Sequence, residues 1–333
     1  MYEIFKRALF LLPPEEAHFL AVQAAKRLGT LHRLGLLPKS VSVSLSDGNT
    51  SFKTPFGDLA TPIGLAAGCD KNGEALFGWE ALGFSFVEVG TVTPKPQLGN
   101  PKPRVFRYPL KGALVNRLGF NNKGIEAVAA NIKKAKSQGL KIKVGGNIGK
   151  NKTTPLEQAA DDYASAAEIL APIVDYLVIN VSSPNTAGLR DLQSEKSLSE
   201  ITRRVKSVSK DVPIFIKVAP DHFQHYLEGV LSIVNQYKVA GVICGNTLSD
   251  HDPSLPQGGL SGQPLLEKNL ELTKAYASSA PGLFIIGVGG ISNAEQAKRY
   301  FDSGASVCQV YTGFVFGGPG FVKNLSKNLQ EIS

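Results

Sequence analysis

The segment Asn180-Val-Ser182-Ser183-Pro184-Asn185-Thr186 sets two amides and three hydroxyls within seven residues. Pro184 stiffens the turn that presents them. An asparagine side chain donates and accepts at once, which matches a planar ring edged with alternating carbonyl and N–H groups. Asn116, Asn147 and Asn246 recur at similar loop positions. Any one of them would serve equally well in a turn, but together they suggest recognition of an amide-rich heterocycle. Lys217 stands near the end of an apolar run, Ile214-Phe-Ile-Lys-Val218, so its ammonium either snorkels outward or meets a negative partner inside. Two glycine-bearing turns, Ile286-Gly-Val-Gly-Gly-Ile291 and Tyr311-Thr-Gly-Phe314, offer backbone N–H groups to a phosphate.

Other chemistries are poorly served. The five histidines, His18, His32, His222, His225 and His251, lie outside these segments, so no nucleophile, base and orienter come together as a hydrolase needs. Cys69, Cys244 and Cys308 are far apart with no C-x-x-C pair, which argues against a zinc site, an iron–sulfur cluster or a disulfide framework. No metal is expected. The net charge of +8 is spread along the chain rather than gathered in a block, so a nucleic-acid-binding tail is not supported.

These residues need a frame that gathers distant segments at one place. From residue 60 onward, short β-branched runs alternate with helical stretches, the pattern of parallel strands joined by helices. Eight runs are predicted as strands: 63–66, 86–89, 143–147, 176–180, 214–218, 241–244, 284–288 and 307–310. Eight is the number of a (β/α)8 TIM barrel, where chemistry gathers at the C-terminal ends of strands. Nearly every run ends in a suitable residue: Gly68, Thr91, Asn147, Asn180 with Ser183, Lys217, Asn246 with Thr247, Gly289 with Gly290, and Tyr311 with Thr312. An open doubly wound sheet is the alternative architecture, because a single sequence does not reveal closure. The two glycine-bearing turns follow runs seven and eight, where barrels often hold a phosphate. The segment 292–301 reads as a helix with Ser292 as its cap and Glu295 completing a capping box.

Residues 1–40 read as a separate helical pair ahead of a barrel at 41–333. Ile4, Phe5, Ala8, Leu9 and Leu12 share one helical face, and Pro13-Pro14-Glu15-Glu16 starts a second amphipathic helix that carries Phe19, Leu20, Val22 and Leu28 beside Lys26 and Arg27. Such a pair either lies on a membrane surface or packs on the barrel. The start of the chain has no cleavage site and no run of apolar residues long enough to span a bilayer, so neither a signal peptide nor a membrane span is expected.

Eight ordered motifs closely resemble the dihydroorotate dehydrogenase family over essentially the whole chain, specifically its class 2, the FMN enzymes that pass electrons to membrane quinones. The motifs are 65–73, 89–97, 102–107, 116–121, 147–151, 180–190, 258–262 and 286–291. Class 1 relatives carry cysteine where this chain has Ser183, and they lack the helical pair. The resemblance implies oxidation of dihydroorotate to orotate, with Ser183 taking the C5 proton, helped by a water path and a neighbouring hydroxyl for which Thr186 is the candidate, while the C6 hydride moves to the flavin. It implies that Lys71, the Asn116-Arg117-Leu118-Gly119-Phe120 segment, Asn180, Asn185, Asn246 and Thr247 hold substrate. Ala67, Gly68, Thr91, Asn147, Asn180, Lys217, Gly245, Gly262, Gly290, Tyr311 and Thr312 would hold FMN. Lys217 would stabilise the negative charge that a flavin gains on reduction. His18 and Arg107 would line a quinone tunnel, in a monomer attached peripherally to the cytoplasmic face of the cell membrane. Two departures stand out: Gly245 replaces the family's usual threonine, and Gln263 a frequent basic residue. A different flavin barrel, such as a class 1 enzyme or a tRNA dihydrouridine synthase, would need a cysteine in the matching loop. A basic membrane- or nucleic-acid-binding module would lack flavin altogether.

Overall fold

The computed structural model describes residues 6, 9–37, 51–186 and 188–332. Each of the eight predicted runs forms a strand: β1 (Ile63–Leu65), β2 (Phe86–Val92), β5 (Lys143–Ile148), β6 (Tyr176–Asn180), β7 (Ile214–Val218), β8 (Gly241–Cys244), β10 (Phe284–Val288) and β11 (Val307–Val310). They pair in parallel in the order β1-β11-β10-β8-β7-β6-β5-β2 and close, which removes the open-sheet alternative. Closure explains the apolar runs, since a barrel strand is covered by helices outside and by the filled lumen inside.

The period of two along each strand separates two cores. Outward residues such as Val87, Val89, Leu177, Ile179, Ile214, Ile216 and Val242 pack with the surrounding helices. Inward residues Phe86, Tyr176, Val178, Phe215, Ile243 and Ile286 fill the lumen together with Phe56, which comes from the segment before β1. Phe56 stacks 4.5 Å from the Tyr176 ring and closes the floor of the barrel. Gly145 makes that floor possible, because a Cβ there would stand 2.2 Å from the Tyr176 ring.

Three further strands were not foreseen. β3 (Val105–Tyr108), β4 (Ala113–Asn116) and β9 (Gly259–Gly262) form an antiparallel sheet from the loops after β2 and β8. They are short, and β9 reads Gly-Leu-Ser-Gly, which carries little strand propensity. The capping box also moves by one residue. The helix begins at Ala294 with Asn293 as its cap, accepting from the Gln296 backbone N–H, and Gln296 reaches back to the Ser292 N–H at 2.7 Å.

The predicted second N-terminal helix is α1 (Pro14–Arg33); of the first, residues 9–11 are helical, while Ile4, Phe5 and Ala8 lie outside the described residues, as does the 40/41 boundary. α1 crosses α2 (Leu76–Ala81) at backbone distance. A Cβ on Gly29 would meet the Gly78 nitrogen at 2.4 Å, and one on Gly78 would meet the Ala25 carbonyl oxygen at 2.1 Å. Arg104 donates to Glu15 at 2.8 Å and His32 meets Glu80 at 3.2 Å, so both ends of α1 are tied to the barrel. Replacing Gly78→Ala should therefore lower stability by about 1–3 kcal/mol through overpacking, read as a shifted urea midpoint. An unchanged midpoint would show that the crossing is loose.

Candidate active site

The site is built upward from a charged layer inside the lumen. Glu88 on β2 and Lys217 on β7 both point inward and are buried, with Lys217 Nζ 3.0 Å from Glu88 Oε1. Asn147 on β5 donates to the same oxygen at 2.6 Å, and Gln309 on β11 donates to Oε2 at 2.7 Å. Four strands thus contribute one polar layer directly above the aromatic floor. Glu88 and Gln309 were not anticipated. The available signal was a lone carboxylate in an otherwise apolar strand, matched by the lone lysine of β7.

Above this layer lie two cavities that share Ala67, Lys217, Asn246, Thr247 and Tyr311. The first is lined also by Gly245, Ser261, Gly262, Gly289, Gly290, Gln309 and Thr312. Gly289 and Gly290 adopt φ of +119° and +76°, conformations open to glycine. The Tyr300 hydroxyl donates to the Gly289 carbonyl and fixes this turn at the head of the helix Ala294–Asp302. Thr312 donates to Ser261 at 2.9 Å, which joins the last glycine turn to β9. The second cavity is lined by Gly68, Lys71, Thr91, Asn116, Leu118, Gly119, Phe120, Asn180, Ser183 and Asn185. The predicted residues therefore converge, and Asn147 stands just beneath them.

Each side chain is held from behind. Asp70 accepts from the Glu74 and Ala75 N–H groups and from the Trp79 indole at 2.8 Å, which folds the loop that presents Lys71. Burial pushes the Lys71 ammonium down to about 8, and the nearby Arg104 cation adds to this. The Ser183 hydroxyl oxygen accepts from the Asn185 N–H at 3.3 Å, and the Asn185 amide donates to Asn116 at 3.2 Å across the cavity mouth. Among the described residues no hydrogen bond joins Thr186 to Ser183. Arg190 locks the loop at its base, donating to the Ser182 and Thr247 carbonyls and pairing with the buried Asp221 at 2.8 Å.

Three predicted residues lie apart from the cavities. Arg117 turns its guanidinium away, to the Pro103 carbonyl and the face of Phe106, leaving only its neighbours Asn116 and Leu118 on the wall. Arg107 is taken up by the end of the first N-terminal helix, donating to the Leu9, Phe10 and Leu12 carbonyls with its charge 4.6 Å over the Phe10 ring. His18 packs between α1 and the loop after β1. Burial, and then the Lys71 cation, hold its imidazole down to about 4, against a hydrogen bond to the Cys69 backbone.

Comparison with known proteins fits this geometry. The family model for dihydroorotate dehydrogenase matches residues 51–332. The chain belongs to the dihydroorotate dehydrogenase family. It is 43% identical over 331 residues to the dihydroorotate dehydrogenase (quinone) of Thermus thermophilus, covering 98% of this chain and 95% of that one. It is 42% identical over 347 residues to the protein of the same name from Neisseria meningitidis serogroup A, covering 99% and 100%. Among solved structures, the Eimeria tenella enzyme in complex with ferulenol superposes with a TM-score of 0.86 at 33% identity, covering 96% of this chain and 91% of that one.

Both departures from the usual pattern of dihydroorotate dehydrogenases have a local account. Gly245 has φ +130°, and a Cβ there would stand 2.1 Å from the Val288 carbonyl oxygen, so this backbone excludes a threonine. Gln263 donates to Ser292 at 3.1 Å and accepts the close approach of Gly112, tying the β3–β4 hairpin to the glycine turn after β10. The three cysteines are buried and none lies in the Asn180 to Thr186 loop. Because Glu88 has no access to water, replacing Lys217→Ala should cost roughly 3–5 kcal/mol by leaving a buried charge unpaired. A urea midpoint within error of the parent would show that water or another cation already serves Glu88.

Proposed function

We propose that the chain oxidises (S)-dihydroorotate to orotate in de novo pyrimidine biosynthesis, with FMN as its cofactor and a membrane quinone as the final electron acceptor. The joining of the two cavities at Lys217 carries this reading. One cavity is walled by amides, hydroxyls and a lysine, the other by glycine turns and hydroxyls. A substrate and a flavin would there share the wall formed by Lys217, Asn246, Thr247 and Tyr311. Family membership and the quinone-linked names of its full-length relatives supply the substrate and the acceptor.

The residues fit FMN. Gln309 Oε1 is buried without a hydrogen-bond partner on the wall of the glycine-lined cavity, and a ring N–H would satisfy it. Ala67, Gly68, Thr91, Asn147, Asn180 and Lys217 would hold the ring, and Gly245, Gly262, Gly290, Tyr311 and Thr312 the chain and phosphate, with backbone N–H groups as the main donors. Bound FMN supplies the two-electron acceptor that no side chain provides.

The protein's own work is to hold the substrate and move a proton. Lys71 would pair with the substrate carboxylate, and Asn116, Asn180, Asn185, Asn246 and Thr247 would satisfy the ring edge, with Leu118, Gly119 and Phe120 closing one side. Ser183 is the base that takes the C5 proton. For this its own hydroxyl proton must leave, to water, as the C5 proton arrives, and the Asn185 N–H directed at the oxygen favours the anionic character the base needs. Arg117 is left out of this substrate set, since its guanidinium is committed elsewhere.

Residues 1–40 form the quinone-access unit in this reading, with His18 and Arg107 between it and the barrel. α1 exposes Phe19, Leu20 and Leu31, and Leu34 just beyond it is exposed too, which suits peripheral attachment at the cytoplasmic face of the membrane by a monomer. No described helix is long and apolar enough to cross a membrane.

Two measurements test the site. Ser183→Ala should retain FMN yet reduce it about 10²-fold or more slowly with dihydroorotate, followed by stopped-flow absorbance. Near-parental flavin reduction would remove Ser183 from its role. Orotate affinity should be level below pH 8 and fall above it by up to tenfold per unit, as Lys71 loses the proton that makes it a carboxylate partner. The dependence should vanish in Lys71→Met. A level profile from pH 6.5 to 9 in the parent would sink this assignment.

A further inference from the structure

The amides of the site are not oriented independently. A carboxylate only accepts, so Asn147 must turn its Nδ2 to Glu88, which it does at 2.6 Å, and its Oδ1 must face the other way. That Oδ1 accepts the Thr91 hydroxyl at 2.5 Å. Thr91 has then spent its one proton and must accept, and Asn180 Nδ2 donates to it at 2.7 Å. Asn180 in turn presents Oδ1 to the Ser182 hydroxyl at 3.1 Å, and Ser182 accepts from Asn246 Nδ2 at 2.7 Å. Asn246 is left with Oδ1 toward the Thr247 N–H at 2.8 Å. Every donor in this track, from Asn246 through Ser182, Asn180, Thr91 and Asn147, points toward Glu88. Apart from Asn246 its members are buried, so bulk water cannot supply the reverse pattern.

We propose that Glu88 is a positioning residue which sets the donor and acceptor polarity of the amide wall and, through Lys217, the reduction potential of the flavin. The inference rests on the functional reading above, because it takes the wall to face substrate and Lys217 to face FMN. Aligned hydrogen bonds polarise one another, so a fixed charge at one end holds the far end in register. The same carboxylate offsets the positive charge that Lys217 would otherwise offer in full to the reduced flavin.

The test uses the full-length holoenzyme. Glu88→Gln preserves shape, and its amide can keep the oxygen toward Lys217 and Asn147 with the N–H toward Gln309, whose amide would have to turn to receive it. We expect the flavin midpoint potential to rise, by about 30 mV for each tenfold gain in preference for the reduced form of a two-electron couple. Orotate should bind several-fold more weakly, read from the perturbed flavin spectrum, because a neutral amide oxygen no longer polarises the track as the carboxylate does. Ser182→Ala breaks the track far from Lys217 and should weaken orotate binding several-fold while leaving the potential in place. An unmoved potential in Glu88→Gln, or parental orotate affinity in Ser182→Ala, would overturn the proposal. The second result stands even if the first variant does not fold. A parent chain without flavin absorbance would instead remove the functional reading itself.

Discussion

The ion pair between Glu88 and Lys217 is the constraint around which the barrel is arranged. Taking either charge out of water alone would cost several kcal/mol, and the 3.0 Å contact is tolerable only because hydrogen bonds from Asn147 and Gln309 satisfy the remaining carboxylate lone pairs. That demand explains the layering of the lumen. Phe56, Phe86, Tyr176 and Phe215 exclude water below, and Gly145 gives way to Tyr176 so that the floor can close. Coulombic repulsion from Glu88 adds to burial in holding the Tyr176 phenol well above its ordinary range, which keeps it a neutral hydroxyl under the pair. The polar groups directly above the pair are amides and hydroxyls, which can both satisfy one another and bind a neutral ring.

Much of this was legible in the residues. The eight barrel strands are mostly apolar on both faces, so their positions agree with the predicted runs to within a few residues. Lys217, Ser183 and the asparagines stood out because polar groups at the ends of such strands are exceptional. Glu88 did not, although the physical reason is the same. A carboxylate inside Phe86–Val92 reads as an ordinary outward residue until the register shows that residue 88 faces inward, beside Gly145 on β5. Long-range pairing is what converts two isolated oddities on β2 and β7 into one pair. The sheet β3-β4-β9 was hidden for a related reason: its strands are four residues each and come from loops far apart in the chain, so neither period nor propensity marks them.

The residues assigned from likeness alone divide by how local their geometry is. Those on strand ends are placed by the barrel, and they converge. Arg117, Arg107 and His18 lie on or against the appended sheet and helix, where one added contact redirects a long side chain. Phe106 beside Arg117, and the carbonyl ends of the first helix beside Arg107, are neighbours that no spacing rule would supply.

The same geometry shows why the N-terminal helix belongs to the chemistry of the barrel rather than beside it. α1 is fastened by Glu15 to Arg104 and by His32 to Glu80, and His18 sits between them against the loop of Lys71. Arg104 and His18 therefore both belong to the surroundings of one lysine. Arg104 adds a cation that favours the neutral amine, whereas Glu15, which neutralises Arg104, favours the charged form. Lifting α1 would take Glu15 away with it and leave the Arg104 charge unopposed near Lys71. The helix that exposes Phe19 and Leu20 outward thus bears inward on the charge of the group that would grip the substrate carboxylate.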